Sequence, residues 1–220
     1  MTVDLTIAVL TGQRPELLRE TLAAMVEHQP DLWGAAAKVV VHNSADAETA
    51  AVLDEHDWDQ RIVLDGHLRG ISEASHYLIR AACTADRRYV MRLEDDWLAD
   101  PVDFYATAVE LLESDLNVGQ VRLRRASEKV MAKHRVTKKE IVWRELDSGH
   151  RWAPYAHYTH NPSLMRTWDN AAIAGYTDEI DAARKFYASG WSTVQHVPGA
   201  FAHAGHQEAG LSLKWSRGAE

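Results

Sequence analysis

Short apolar, β-branched runs alternate along the first half of the chain with longer segments whose apolar positions recur every three or four residues. Val3–Leu10 reads as a buried strand. Pro15 then opens a helix whose Leu18, Leu22, Met25 and Val26 share one face. Lys38–His42 (KVVVH) is a second strand, and Asn43-Ser44-Ala45-Asp46 a turn and cap into a helix ending at Leu53. Arg61–Leu64 is a third strand. Gly70 starts a helix carrying Ile71, Ala74, Leu78 and Ala82 on one side. Tyr89–Leu93 is a fourth strand that stops abruptly at Glu94-Asp95-Asp96, and Asp100-Pro101 begins a helix to about Leu112. Beyond residue 117 the regularity fails. Asp178–Gly190 is helical again, Pro198–Gly210 reads as loop, and the tail after Ser212 as frayed.

Strands alternating with such helices imply βαβ units. The expectation is an α/β fold: a single domain with a mainly parallel central sheet flanked by helices, residues 1–116 forming one half and 117–210 the other. Ligands in such sheets gather at the carboxyl ends of the strands. Thr11–Arg14, His42–Asp46 and Glu94–Asp96 all fall at such ends.

Composition narrows the class. With 220 residues, 46% hydrophobic and 25% charged, the chain suits one compact domain and excludes whole-chain disorder. It contains no stretch long and apolar enough to span a membrane, and its acidic opening, Met1–Leu5, does not read as a signal peptide. The single cysteine, Cys83, cannot form an internal disulfide, which points to a reducing, cytoplasmic setting. The net charge of -8 is unevenly spread, because eight Lys/Arg lie between Arg122 and Lys139 against one acid, Glu128. That strip, followed by Trp143, Trp152, Tyr155 and Tyr158, is either a solvated face or a surface for an acidic polymer such as nucleic acid.

Three carboxylates ending a hydrophobic strand concentrate negative charge, which a cation relieves. Oxygen ligands of this kind suit Mg²⁺ or Mn²⁺, ions that also hold phosphates. The competing reading is an acidic helix cap.

The order of features resembles nucleotide-sugar-dependent glycosyltransferases of the GT-A fold, especially inverting family 2, over residues 5–206. Thr11-Gly12-Gln13-Arg14-Pro15 is similar to that family's opening. Val41–Asp46 is similar to its second-strand end, where an acid commonly holds uracil; here His42 or Asn43 stands at that point. Leu68-Arg69-Gly70-Ile71 resembles a helix start beside the donor, where backbone N–H groups can face an anion. Leu93–Asp96 resembles the Asp-x-Asp element. The resemblance implies donor contacts from Thr11, Arg14, Asn43, Arg69, Gly70, Glu94 and Asp95, with Glu94 addressing ribose or metal and Asp96 contacting the metal. Asp178-Glu179-Ile180-Asp181 followed by Gly190-Trp191 matches the family's acidic landmark, which makes Glu179 the general base and places Asp181 and Trp191 toward the acceptor. His203, with His206 as competitor, supplies the C-terminal His ligand. Trp152, Tyr155 and Asn161 are further acceptor-side candidates.

The implied activity is metal-dependent transfer of a sugar from a nucleotide sugar, UDP-linked by preference, to an acceptor hydroxyl with inversion. A hydroxylated base in DNA is one acceptor that fits the basic strip. Two other readings stay open: a nucleotidyltransferase, and a non-catalytic carbohydrate- or nucleic-acid-binding module on the same scaffold.

Overall fold

The computed structural model describes residues 3–65, 70–125, 144–145, 151–155, 158–160, 162–197 and 199–204. In chain order the first half runs β1 (Leu5–Thr11), α1 (Pro15–His28), α2 (Pro30–Ala35), β2 (Ala37–His42), α3 (Ala47–Leu53), β3 (Gln60–Val63), α4 (Ile71–Thr84) and β4 (Tyr89–Glu94). There follow β5 (Trp97–Ala99), α5 (Tyr105–Ser114), β6 (Val118–Arg122), β7 (Arg144–Glu145), β8 (Arg151–Tyr155), β9 (Ser163–Arg166), α6 (Thr167–Ala172), α7 (Glu179–Ala188), β10 (Ser192–Val197) and β11 (Phe201–His203).

Among the described residues nine strands form one sheet in the order β3-β2-β1-β4-β9-β6-β10-β8-β7. β1, β2, β3 and β4 are parallel, β9 runs against both β4 and β6, and β10 pairs parallel with β6. The α/β class with helices on both faces is thus present. β1, apolar apart from Thr6 and Thr11, shows why it lacks alternation: Leu5, Ile7 and Val9 enter one core with α1 and α5, while Ala8 and Leu10 enter the other with α4. A strand covered on both faces loses the in/out alternation of a half-exposed one. Each fully buried Leu or Ile side chain there contributes about 1.5–3 kcal/mol.

Several elements differ from the sequence reading. On α1 the buried face is Leu18, Thr21, Leu22 and Met25, and Val26 is exposed. The hydroxyl of Thr21 turns inward because it donates to the carbonyl of Asp95 at 3.0 Å. The helix expected from Asp100-Pro101 begins only at Tyr105. Residues 97–99 instead pair with 201–203, the Asp100 N–H donates to the carbonyl of Ala200, and the Asp100 carboxylate holds Arg125. The same pairing turns part of the expected 198–210 loop into β11. Gly199, at φ 91°, makes the bend that leads into it. A Cβ at that position would lie 2.4 Å from the carbonyl oxygen of Arg124, so only glycine fits.

Candidate active site

The carboxyl ends of β1, β2 and β4 are tied to one another through side chains. Asp95, fully buried, accepts from the Thr11 hydroxyl at 2.9 Å and the Gly12 N–H at 3.1 Å, and its other oxygen takes Arg14. Arg14 bridges onward to Asp96 at 2.8 Å. Thr49, on α3, donates to the carbonyl of Gly12 at 2.8 Å, and the Asn43 N–H to that of Thr11 at 2.8 Å. Asp95 therefore spends both oxygens inside this knot. Burial pushes its carboxyl up to about 6 against the pull of Arg14. Glu94, at the end of β4, is raised further by burial and by the Asp96 and Asp95 carboxylates, with Arg14 and Arg92 opposing.

Asp96 meets His203. β11 lies antiparallel to β5 with His203 opposite Trp97, the Ala204 N–H donates to the carbonyl of Asp96 at 2.8 Å, and the Trp97 ring packs edge-on against the imidazole at 4.7 Å. His203 Nε2 stands 3.7 Å from Asp96 Oδ2. The other oxygen, Asp96 Oδ1, is buried and has no hydrogen-bond partner among the described residues. A buried carboxylate oxygen left unsatisfied beside an imidazole is a donor set that suits Mn²⁺ or Mg²⁺. Among the described residues no three His, Cys, Asp or Glu side chains converge on one point, so the fit is that of a pair.

At the end of β2, Asn43 is fully buried. His42 Nε2 lies 3.0 Å from Asp46 Oδ2, to which the Ser44 hydroxyl also donates at 2.6 Å. Asp46 caps α3 through the Thr49 N–H at 2.7 Å. Despite some burial, the bonds from Ser44, Thr49 and His42 hold its carboxyl well below the usual range. An acid does stand at this strand end, four residues after His42, but it is engaged in the turn.

A second cluster, which the sequence did not disclose, lies on the α4 face of β4. Arg92 is buried and donates to the hydroxyls of Tyr158 at 3.1 Å and Tyr176 at 3.3 Å. The ring of Tyr176 packs against both His76 and His160, each at 4.9 Å. Glu179, exposed at the first turn of α7, accepts the His160 N–H at 3.2 Å and so belongs to this cluster. The only sequence signal was an arginine inside the apolar run YVMRLE.

The remaining sequence candidates are placed as follows. Gly70 caps α4 with an ordinary φ of -57°, and a Cβ there would meet nothing within 4 Å, so no close approach demands glycine. Asp181 accepts from the Thr177 N–H at 3.1 Å and pairs with Lys185 at 3.3 Å, bonds that lower its pKa and belong to the start of α7. Trp191 is half-buried and packs against Phe186 and Gly119. Trp152 and Tyr155 fall on β8, whose side chains lie outside the described residues, as do Arg69, Asn161, Trp143 and His206. Most of the basic strip is outside them too. Of its described members, Arg122 is buried, Arg125 is paired with Asp100, and Arg124 is exposed, so the described part of the strip offers one cation clear of the fold's own pairing and burial rather than a basic surface. No described helix is long and apolar enough to cross a membrane.

No family model matches the chain, and no curated protein matches it. Solved structures do. The mannosyltransferase PcManGT from Pyrobaculum calidifontis, solved with GDP-Man and Mn²⁺, superposes with a TM-score of 0.68 at 17% identity, over 96% of this chain and 59% of that one. Residues 1–349 of S. aureus TarS superpose with a TM-score of 0.61 at 11% identity, over 90% of this chain and 59% of that one. A second TarS structure gives 0.63 at 11% identity and is covered to 36%. The chain thus spans little more than half the length of the first two. Its fold is the α/β fold of that mannosyltransferase and of TarS, with the Asp96–His203 pair and the Glu94–Asp96 cluster at the carboxyl ends of its strands.

Proposed function

We propose that the protein is a glycosyltransferase that moves a sugar from a nucleotide-sugar donor to an acceptor hydroxyl, with a divalent cation at Asp96 and His203 and Glu179 as general base. The observation that carries this reading is the meeting of Asp96 and His203, far apart in the sequence, on a fold shared with a mannosyltransferase that holds GDP-Man and Mn²⁺. A cation bound there would neutralise charge on the departing diphosphate. Asp95 acts from behind: by holding Thr11, Gly12 and Arg14 it fixes the floor on which the donor lies. Glu179, exposed and anchored through one oxygen to the His160 N–H, keeps its other oxygen for the acceptor proton. The acceptor oxygen bonds to the anomeric carbon as its proton passes to Glu179. The bond from that carbon to the phosphate oxygen breaks, and its electron pair leaves with the nucleoside diphosphate. One such displacement inverts the anomeric centre.

The test is release of nucleoside diphosphate from GDP- and UDP-sugars, with Mn²⁺ and with chelator, for the wild type, Asp96→Asn and Glu179→Gln. Asp96→Asn should lose the Mn²⁺ requirement together with activity. Glu179→Gln should lose turnover by about 10²–10⁴-fold while still binding the diphosphate. Wild-type protein that is folded yet inert to every donor would refute the assignment.

Arg14 supports a second reading. Its guanidinium already lies on Asp95 and Asp96 and could serve as the cation for the donor phosphates, making transfer metal-independent. Full activity in chelator, abolished by Arg14→Gln, would favour it.

A further inference from the structure

Arg92 is an arginine sealed inside the protein, on the one strand of the sheet that ends in the acidic cluster. Along β4 the side chains alternate: Tyr89, Met91 and Leu93 enter one core, and Val90 the other. Arg92 falls on the second face, beneath α4, and is 1% exposed. Burying a guanidinium costs several kcal/mol unless it is well compensated. No carboxylate lies within ion-pairing distance of it among the described residues, although Glu94 at the end of the same strand favours its charge, and its hydrogen bonds go to the hydroxyls of Tyr158 and Tyr176. Packing alone would be served better by a leucine at this position. The arrangement therefore asks what the two phenols hold.

They hold the short segment 158–160. Its backbone makes no regular ladder, and each of its N–H groups goes to a side chain on another element. The Tyr158 N–H donates to the hydroxyl of Tyr187 at 2.6 Å, the Thr159 N–H to Gln120 Oε1 at 3.2 Å, and the His160 N–H to Glu179 Oε1 at 3.2 Å. Gln120 returns a bond from Nε2 to the carbonyl of Thr159 at 2.7 Å. The His160 ring is wedged between Tyr158, at 5.5 Å, and Tyr176, at 4.9 Å. These are the two residues whose hydroxyls Arg92 grips. Glu179 is exposed at a helix start, and a glutamate there has three rotatable bonds to settle. The bond from the His160 N–H selects among its rotamers, and the position of that N–H depends on the two tyrosines.

We infer that Arg92 is a positioning residue for Glu179, acting through Tyr158, Tyr176 and the 158–160 segment. The inference rests on the reading of Glu179 as the base. A merely structural Arg92 would stabilise the fold without being coupled to Glu179. Arg92→Lys is the mild probe, because an ammonium cannot span both hydroxyls as the guanidinium fork does. Tyr176→Phe removes one hydroxyl and keeps the ring, which leaves a usable variant if Arg92→Lys folds poorly.

Two measurements on the full chain separate the inference from the reading beneath it. In hydrogen exchange, Arg92→Lys and Tyr176→Phe should speed exchange of the amides of residues 158–160 at least tenfold while those of β1 and β2 stay unchanged. Unchanged protection at 158–160 overturns the inference, whether or not the protein is a transferase. In turnover of GDP-mannose and UDP-glucose with Mn²⁺, each variant should lower kcat by about 10²-fold, the usual effect of a misplaced catalytic group, with donor KM within twofold. On a Glu179→Gln background the same substitutions should cost nothing further, because the group they position is gone. Losses that multiply across that double-mutant cycle would overturn the inference. A Glu179→Gln protein as active as the wild type would instead refute the base assignment and leave the exchange result standing on its own.

Discussion

His160 provides the sharpest test of how this interior is built. It is 5% exposed, its Nε2 has no hydrogen-bond partner among the described residues, and it faces groups that oppose a second proton. Arg92 on β4 and His76 on α4 are the charged or chargeable groups that disfavour it. Tyr158 and Tyr176 pack their rings against it, and Glu179 on α7 meets the backbone N–H rather than the ring. Burial first, then Arg92 and His76, holds the imidazole pKa well below the ordinary 6.5. The folded protein therefore keeps the ring neutral where the unfolded chain would take a proton. Above pH 6.5 neither state is protonated and the ring's contribution is constant. Below it the unfolded state binds more protons, so stability falls as pH falls, by about 1.4 kcal/mol per pH unit. Between pH 6.5 and 5.0 the fall is at most about 2 kcal/mol, or at most about 4–8 °C in Tm for a domain of this size. Glu94 and Asp95 act in the opposite sense. Their raised pKa values mean that stability present at low pH is lost as pH rises, so the wild-type curve alone mixes the two effects. Comparison with His160→Gln isolates the imidazole. Urea titrations at half-unit steps from pH 8 to 5 should show the wild type converging on the variant as pH falls. Parallel curves would mean that the ring is protonated in the folded state, and the account of this cluster would be wrong.

Arg166 is buried and carries a different load: it donates to the carbonyls of Val118 at 3.0 Å and Leu112, and pairs with buried Asp169 at 2.8 Å. Arg166→Ala removes the cation from that carboxylate and a donor from each of two carbonyls and should cost about 3–5 kcal/mol in a denaturant titration. Arg61→Ala, at an exposed pair with Asp54, should cost at most about 1 kcal/mol beyond the loss of packing. Gly199→Ala should destabilise by at least about 2 kcal/mol, because its Cβ meets the Arg124 backbone, and it should weaken Mn²⁺ binding by displacing β11. Gly175→Ala, at φ 80° with nothing within 4 Å, should cost only the backbone strain, about 1–2 kcal/mol, with Mn²⁺ affinity unchanged.

The first four strands were legible because β1, β2 and β4 are short runs of mostly buried apolar residues; β3, β2 and β1 are also neighbours in the sheet, while β4 crosses over to pair with β1. The second half hid its strands behind polar residues that are nonetheless buried. Gln120, Arg122, Arg166, Gln195 and His196 lie on β6, β9 and β10, and those with resolved bonds find partners far along the chain, as Gln120 does at Thr159 and Arg166 at Val118. Such positions read as solvent-facing until the fold supplies the partner. β5 and β11 escaped because three-residue strands carry no periodicity, and Asp100-Pro101 marks the turn after β5 rather than a helix start. In the site, the acidic run and His203 could be singled out as residue types, and the structure brings Asp96 and His203 together. Arg92, His160 and Tyr176 could not, and Tyr158 was read only as an aromatic beside the basic strip although it is buried, since nothing local joins residue 92 to a segment that begins 66 residues later.

The closing of β11 on β5 also has a temporal meaning. Thr11 and Asp95 are 84 residues apart, and His203 arrives later still, so Asp96 and His203 meet only when β11, the last described strand, has docked. Contacts of such long sequence separation form slowly, since the loop must close before they contribute. During synthesis β1 to β4 can assemble while residue 203 is still unmade, and in that interval Arg14, with Thr11 and Gly12, balances Asp95 and Asp96. An arginine supplied from the first strand–helix junction thus lets the early sheet tolerate its acids, and the approach of His203 to Asp96 marks the docking of β11.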